Sequence, residues 1–307
     1  MAKDTSTQNS KLNRLPFAAN AAIKIVFGIL ALLCVVPFLF VIVISFTGET
    51  AIAKNGYSLF PSEFSLEAYR FLWSNKNMIF DSTKVSLIVT VVGTIFGTIL
   101  TTSMGYVLSR KEYKLHKFFT WVVFIPMVFN GGLISTYFMT KTVYGLGDTY
   151  WALILPLMVS SFNVIISRTY FQMSIPDSII ESAKIDGATQ FRIFFGIIIP
   201  ISLPLLATIG LFLSFGYWND WWQAMLYITK TNMRPLQSLL NSIERNVEYI
   251  LNNAGSLGVS QSEMLQNLPR QSFRMAIAVV IILPISLAYP FFQRYFISGL
   301  TIGAVKG

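Results

Sequence analysis

Six long apolar stretches, separated by polar segments, run along this chain of 307 residues. A helix needs about 20 mostly apolar residues to cross the hydrocarbon core of a bilayer. Each stretch reaches that length, so the pattern predicts six transmembrane helices and an all-α, polytopic membrane protein. Pro37 and Pro126 do not argue against their spans, because transmembrane helices tolerate proline. The predicted spans cover about residues 22–46, 83–108, 118–139, 151–172, 191–216 and 273–296.

The basic residues between the spans predict which segments face the cytoplasm. The short segment 110–117 is strongly basic, and a second basic cluster precedes residue 22. Lysine and arginine accumulate in cytoplasmic loops, so both termini are expected inside. A further helix is predicted at about 236–252, in an external loop that either caps the outer face of the helices or simply connects two spans. The predicted divisions are a cytoplasmic tail (1–21), a first transmembrane helix with its external loop (22–82), a helical core (83–296) with a cytoplasmic loop (173–196) and an external loop (217–272), and a cytoplasmic tail (297–307).

Composition supports an integral membrane protein and narrows the possible chemistry. Hydrophobic residues make up 54% of the chain and charged residues 12%, whereas globular domains average about 25% charged residues. The mean hydropathy is +0.60. In a lipid-embedded chain, the net charge of +9 is better explained by orientation in the membrane than by nucleic acid binding. One cysteine, Cys34, and one histidine, His116, cannot supply a Cys/His metal site.

A short polar segment between the fourth and fifth apolar stretches is the most unusual feature of the sequence. It reads Glu-Ser-Ala-Lys-Ile-Asp-Gly-Ala from Glu181 to Ala188, and Ile-Ile-Ile-Pro follows at 197–200. Residues 176–190 are predicted to form a short helix roughly parallel to the membrane. Pro176 stands at its start, where proline is favoured in the first turn. Gly187 either ends this helix or lets another backbone approach. From composition alone, the alternative is an amphipathic helix that lies on the lipid surface and contacts no partner.

This segment resembles the EAA loop of ABC-importer permeases, with Ser182 where that family usually has alanine and Ile199 where it usually has leucine. The resemblance implies the type I (MetI-like) permease fold and a coupling helix that docks into a cleft of a separate ATPase. It also implies polar contacts from Glu181 and Asp186, and a turn at Gly187. Small side chains would fill the ATPase groove. The implied coupling residues are Glu181, Ser182, Ala183, Asp186, Gly187, Ala188 and Pro200.

A second resemblance extends over most of the chain. The segments Ser103–Arg110 and Pro290–Gly307 are similar to those of the maltose-type second permease subunit. Gly131–Tyr137 and Trp151–Pro156 resemble the lipoprotein-associated branch, which carries oligosaccharides and polysaccharide fragments. The resemblance implies a bacterial cell membrane location. It also implies a homologous second permease, a cytoplasmic ATPase dimer that uses ATP and Mg²⁺, and an external sugar-binding protein as partners. No cofactor is expected on this chain.

The remaining motifs decide between classes of function. The chain has no Gly-x-x-x-x-Gly-Lys-Ser/Thr phosphate loop, so ATP hydrolysis is expected on another subunit and no enzyme activity on this one. An ion-coupled secondary transporter is the alternative, but such carriers usually need carboxylates inside the membrane. The spacing Gly93-x-x-x-Gly97 suggests a seam between closely packed helices.

Polar residues in or next to the spans are candidates for lining the substrate path. They could instead form hydrogen bonds between helices, and a tryptophan could anchor the chain at the membrane interface. The candidates are Asn130, Tyr137, Asn163, Trp218 and Asn219.

Overall fold

The computed structural model describes residues 16–253 and 271–304. Regular structure in these residues is helical, apart from one antiparallel bridge between Thr47 and Phe64. The helices are α1 (Phe17–Ser45), α2 (Glu49–Asn55), α3 (Glu67–Ser74), α4 (Lys76–Ser109), α5 (His116–Val128), α6 (Leu133–Val143), α7 (Tyr150–Met158), α8 (Ser161–Ser174), α9 (Asp177–Ile185), α10 (Gln190–Ile201), α11 (Leu203–Trp218), α12 (Trp222–Tyr227), α13 (Leu236–Asn253) and α14 (Gln271–Ala304).

Within the described residues, α1 and α4 are each long and apolar enough to cross a membrane alone. If each of three bent pairs is counted as one span, the number rises to five: α5 with α6 at 114°, α7 with α8 at 47°, and α10 with α11 at 83°. These five match the first five predicted spans in position. The predicted straight spans differ from the structure because glycine or proline stands at or near each break: Gly131 and Gly132 follow α5, and Pro156, Pro200 and Pro204 lie near the others.

The sixth predicted span falls on α14, which continues to Ala304 instead of ending near residue 296. The part Gln271–Leu287 of this helix is apolar, but it is shorter than the candidate spans. The helix predicted at 236–252 is confirmed as α13. Residues 1–15, 254–270 and 305–307, which include most of the predicted N-terminal tail and part of the external loop, lie outside the described residues.

One compact unit contains Met1–Phe71 and Arg270–Val279. The phenol ring of Tyr69 stacks on Phe46 at 4.7 Å, and its hydroxyl lies 2.9 Å from Ser45 Oγ. The Glu49 carboxylate accepts hydrogen bonds from the backbone N–H of Gln271 at 3.0 Å and of Ser272 at 3.3 Å. A carboxylate is favourable at this position because the first N–H groups of a helix lack partners within the helix. Glu49 therefore caps α14.

The second unit contains Leu72–Pro269 and Val280–Gly307, and α4 is its central helix. Helices α7, α8 and α11 all pack against α4. Its buried residues recur every three or four positions, which places them on the face that meets these helices. Small residues dominate this face, so neighbouring backbones can approach closely. They include Ser82, Ser86, Gly93, Gly97, Thr101 and Gly105.

The predicted glycine seam is confirmed. A Cβ atom on Gly93 would lie 2.4 Å from Tyr217 Cζ, and one on Gly97 would lie 2.8 Å from the Met158 carbonyl oxygen. A Cβ atom on Gly105 would lie 2.5 Å from Ser167 Cβ. These distances are too short for any side chain, so α4 meets α11, the end of α7 and α8 through its glycines.

Candidate functional site

The predicted coupling helix is present as α9, and the local sequence explains both of its ends. Pro176 is the residue before the first helical turn, with φ −62° and ψ 138°. Asp177 stands in the first turn and Lys184 in the last. A negative charge at the start of a helix and a positive charge at its end both interact favourably with the helix dipole.

Gly187 ends α9 in a Schellman motif. Its φ is +77°, a left-handed conformation that glycine adopts without steric cost. Its N–H donates to the Lys184 carbonyl at 3.0 Å, and the N–H of Ala188 donates to the Ala183 carbonyl at 2.9 Å. These two bonds are the pair that defines the motif. The structure therefore agrees with the turn expected at Gly187.

α9 has one face buried in its own chain and one face open. Ile180 and Ala183 are buried in the apolar core of the second unit. Glu181, Ser182 and Asp186 are exposed, and Ile185 is 85% exposed. Residues four apart lie on the same side of a helix, so Glu181 with Ile185 and Ser182 with Asp186 form one continuous surface.

Two of the small coupling residues differ from their expected role. Ala183 is only 7% exposed and Ala188 is partly buried against the same core. Their side chains hold α9 against this chain and are not open to fill a groove on an ATPase. Pro200 lies near the end of α10, just after its π-helical segment Phe194–Ile198 and before the bend to α11. Sequence reasoning missed Ile185, although an isoleucine outside the apolar pattern of α9 is a signal for a contact surface.

The loop after α4 is bonded to α9 through contacts that the sequence analysis did not anticipate. Arg110 Nη1 donates to Asp177 Oδ1 at 2.9 Å, and Lys184 forms an ion pair with Glu112. Between α4, α9 and α10 lies a cavity of about 470 Å³, lined mainly by aromatic and apolar side chains. Tyr106 lines this cavity, and its buried hydroxyl has no hydrogen-bond partner among the described residues.

Two of the predicted path residues belong to the bent pair of α5 and α6. Asn130 lies in the bend, and Tyr137 lies on α6. The side chain of Asn130 accepts a hydrogen bond from the Gly132 N–H at 2.9 Å and so stabilises the bend. Tyr137 stacks on Tyr227 with ring centroids 5.8 Å apart, and its hydroxyl accepts a hydrogen bond from Lys141 Nζ at 2.7 Å. Both side chains thus have partners within the chain.

The other three predicted path residues occupy different places on α8 and α11. Asn163 is buried on α8. Trp218 is 5% exposed, and its indole N–H donates to the Ile281 carbonyl at 3.0 Å. Asn219 is exposed and donates to the Phe215 carbonyl at 3.0 Å. For Trp218, this geometry favours a packing role over membrane-interface anchoring. The assignment of all five residues to a substrate path stays a prediction.

Two carboxylates in loops of the second unit have altered proton affinities. Asp148, at φ 57°, accepts hydrogen bonds from Thr229 Oγ1 at 2.6 Å and from the N–H of Thr229 and Lys230 at 2.6 and 3.1 Å. These bonds favour the ionised form and lower the pKa of Asp148 to about 2. Burial raises the pKa of Asp220 to about 6, against a hydrogen bond from the Gln223 N–H. Asp148 therefore stabilises the contact between two loops, whereas ionisation of Asp220 lowers the stability of the folded chain.

Bent apolar helices around a central span, with a polar helix exposed between two of them, are the architecture of a membrane permease subunit. The model of the family described as "Binding-protein-dependent transport system inner membrane component" matches residues 93–302. The chain belongs to this family.

Relatives agree over almost the whole length. The chain is 41% identical to the polygalacturonan/rhamnogalacturonan transport system permease protein YtcP of Bacillus subtilis (strain 168), over 90% of this chain and 94% of that protein. It is 37% identical to the protein LplC of the same organism, over the full length of both. A crystal structure of a bacterial ABC transporter that imports the acidic polysaccharide alginate contains a chain with a TM-score of 0.76 and 26% identity. The match covers 92% of this chain and all of that chain.

The family defines the role of the molecule. The chain is a permease subunit of an ABC importer in the membrane, with the MetI-like fold, and it is not an enzyme. Such a permease works with a partner permease, an ATPase and a substrate-binding protein. The alternative of an ion-coupled secondary transporter is therefore excluded.

Proposed function

We propose that this chain forms half of a heterodimeric pore that imports an oligosaccharide or a polysaccharide fragment, and that α9 couples it to the ATPase. The observation that carries the proposal is the open face of α9. Glu181, Ser182, Ile185 and Asp186 project from a helix whose opposite face is fixed in the core by Ile180 and Ala183. An exposed isoleucine among charged residues suits a protein contact with an apolar centre and a polar rim.

The proposed assembly has four kinds of subunit. A homologous but distinct permease completes the pore, and a cytoplasmic ATPase dimer binds the coupling helix of each permease. ATP and Mg²⁺ are bound by that dimer, and this chain binds no cofactor. An external binding protein delivers the sugar. Both termini and α9 lie on the cytoplasmic side, as the basic segment 110–117 favours.

The substrate class rests on the relatives. The permease that shares 41% identity belongs to a transport system for polygalacturonan and rhamnogalacturonan, and the structural neighbour belongs to an alginate importer. These names support a sugar chain as the cargo. ATP binding shifts the assembly between two conformations, because the ATPase dimer has a different affinity for ATP in each conformation.

Purification of the tagged chain from its host in mild detergent tests the assembly. We expect a second permease and an ATPase to co-purify in comparable amounts. Recovery of this chain alone, under conditions that preserve other membrane complexes of the host, would contradict the proposal.

Two substitutions test the role of α9. Gly187→Asp should leave the chain folded, because a Cβ atom there meets open space and aspartate tolerates the left-handed conformation better than branched residues. We expect ATP hydrolysis to continue while sugar uptake falls, because the substitution adds a negative charge next to Asp186 on the surface proposed to dock the ATPase. Glu181→Lys should weaken recovery of the ATPase with the permease. Asp81→Lys makes a similar charge change at an exposed position on α4 and should have no effect. Normal uptake by Gly187→Asp would refute the role of this turn.

A further inference from the structure

We propose that Arg110 and Glu112, in the loop after α4, form with Asp177 and Lys184 of α9 a two-point clip that makes α9 and α4 move as one body. The proposal rests on the proposed coupling function of α9. It assigns these four residues a positioning role in coupling, through the orientation of the docking helix.

The two attachment points lie on the same side of α9. Asp177 and Lys184 are seven residues apart, which is close to two helical turns and about 10 Å along the axis. Ile180, between them, is buried, so this side of α9 faces the rest of the chain. Arg110 and Glu112 are two residues apart in the loop and reach the two ends of the helix with long side chains.

The order of charges fixes the alignment of the two segments. At the paired positions the loop carries Arg110 and then Glu112, whereas α9 carries Asp177 and then Lys184. A shift of α9 along the loop would bring like charges towards each other, which disfavours other alignments. Packing of Ile180 and Ala183 holds the helix against the core, and the clip fixes its position along its own axis.

The Arg110 end is the stronger of the two. The Arg110 side chain is 15% exposed, and its second guanidinium nitrogen donates to the Phe171 carbonyl at 3.4 Å. Its Nε donates to Ser109 Oγ at 3.0 Å, and the guanidinium lies 5.4 Å from the centre of the Tyr106 ring. Charge-assisted bonds such as Arg110–Asp177 are about twice as strong as neutral ones. The Asp177 side chain is 74% exposed, so the strength of this end comes from the bonds and packing of Arg110. Lys184 and Glu112 are 33% and 68% exposed, so their pair is weaker.

The clip connects α9 to a tightly packed aromatic cluster at the end of α4. Tyr106 of α4 packs edge-on against Phe171 of α8 at 5.7 Å and lies 5.1 Å from Phe194 of α10. The preceding residue, Gly105, allows α4 to approach α8 closely. Without the clip, α9 would be held by the packing of Ile180 and Ala183 and by its chain connections at Pro176 and Gly187, which leave its position along its own axis less fixed. A push on α9 therefore reaches α4 directly.

Hydrogen exchange of the purified complex tests whether the clip holds α9. Lys111→Gln is the matched control, because Lys111 is an exposed basic residue next to Arg110. The amides of α9 should exchange about tenfold faster in Arg110→Gln, since bonds to charged groups are strong. They should exchange about twofold faster in Lys184→Gln, because exposed pairs are weak. Exchange should not change in Lys111→Gln. Equal exchange in all three variants would overturn the proposal.

The response to ATP tests transmission. Spin labels are attached at Asp81→Cys on α4 and Ser178→Cys on α9, two exposed positions in the second unit, with Cys34 replaced by serine. We expect the distance between the labels to stay the same when ATP binds to the complex. With Arg110→Gln it should shift or broaden on ATP binding. An ATP-independent distance in this variant would refute transmission through the clip.

Charge reversal provides the second line if Arg110→Gln fails to assemble. Glu112→Lys should make the distance respond to ATP, and Glu112→Lys combined with Lys184→Glu should restore the behaviour of the parent. Absence of restoration, with both proteins assembled, would overturn the proposal. Failure of the parent chain to bind any ATPase would instead refute the coupling function itself, so the two failures are distinguishable.

Discussion

The glycine seam of α4 allows a quantitative test of the packing. In Gly93→Ala, the new Cβ atom would lie 2.4 Å from Cζ of Tyr217, where ordinary contacts are 3.4–4 Å. The Tyr217 ring cannot move away freely, because its hydroxyl donates to the Ile154 carbonyl at 2.8 Å in the core. Either the helices separate or this hydrogen bond is lost.

The expected cost follows from these two contributions. Overpacking in a dense core costs about 1–3 kcal/mol, and loss of a buried hydrogen bond adds about 1 kcal/mol. We expect Gly93→Ala to destabilise the chain by about 2–4 kcal/mol and to lower its apparent Tm by about 5–10 °C. Thermal unfolding in detergent, followed by intrinsic fluorescence, measures the shift.

Two control variants separate crowding from other effects. Gly216→Ala changes an exposed glycine in α11, where a Cβ atom would have no neighbour within 4 Å. Alanine favours helix over glycine, so this variant should keep or slightly raise the apparent Tm. Tyr217→Phe removes only the hydroxyl and should cost about 1 kcal/mol. If Gly93→Ala were as stable as Gly216→Ala, the close approach of α4 and α11 would be wrong.

Three further predictions concern the turn and the two unusual carboxylates. Gly187→Asn should import sugar normally and Gly187→Val poorly, because asparagine adopts the left-handed conformation more readily than a branched residue; equal uptake would contradict the strain argument. Asp148 has a lowered pKa, so its contribution to stability is present above about pH 4 and is lost as the pH falls towards about 2. The apparent Tm of Asp148→Asn should therefore fall less on acidification than that of the parent. Asp220 has a raised pKa, so its ionisation lowers stability as the pH rises from about 4 to about 6. Asp220→Asn should exceed the parent in Tm by more at neutral pH than at about pH 4, and a constant difference would refute the burial argument.

Local sequence signals were sufficient where the residues at a helix end determine that end. Pro176 and Gly187 marked the two ends of α9, and a helix was also predicted at about 236–252, where α13 lies. The spacing of Gly93 and Gly97 predicted the seam, because close helix contact requires small residues in that pattern.

Features that depend on distant parts of the chain could not be predicted in this way. Asp177 and Arg110 are 67 positions apart, so their contact exists only because α8 packs against α4. Ala183 could face either the core or a partner, since a small side chain suits both. The bend after Phe129 requires φ +84° at Gly132, and a glycine pair in an apolar sequence permits such a bend without demanding it.

The difference between α1 and α4 has a consequence for how the sequence can change over evolution. Along its most apolar window α1 has no buried residue, whereas 39% of the corresponding window in α4 is buried. Contacts within the chain therefore impose no shape on that part of α1, and exchange among leucine, isoleucine, valine and phenylalanine preserves what the bilayer requires of it. On α4, the seam at Gly93, Gly97 and Gly105 leaves no room for even one methyl group. The first span should therefore drift freely in sequence within a fixed composition, while the second is held position by position by the backbones it touches.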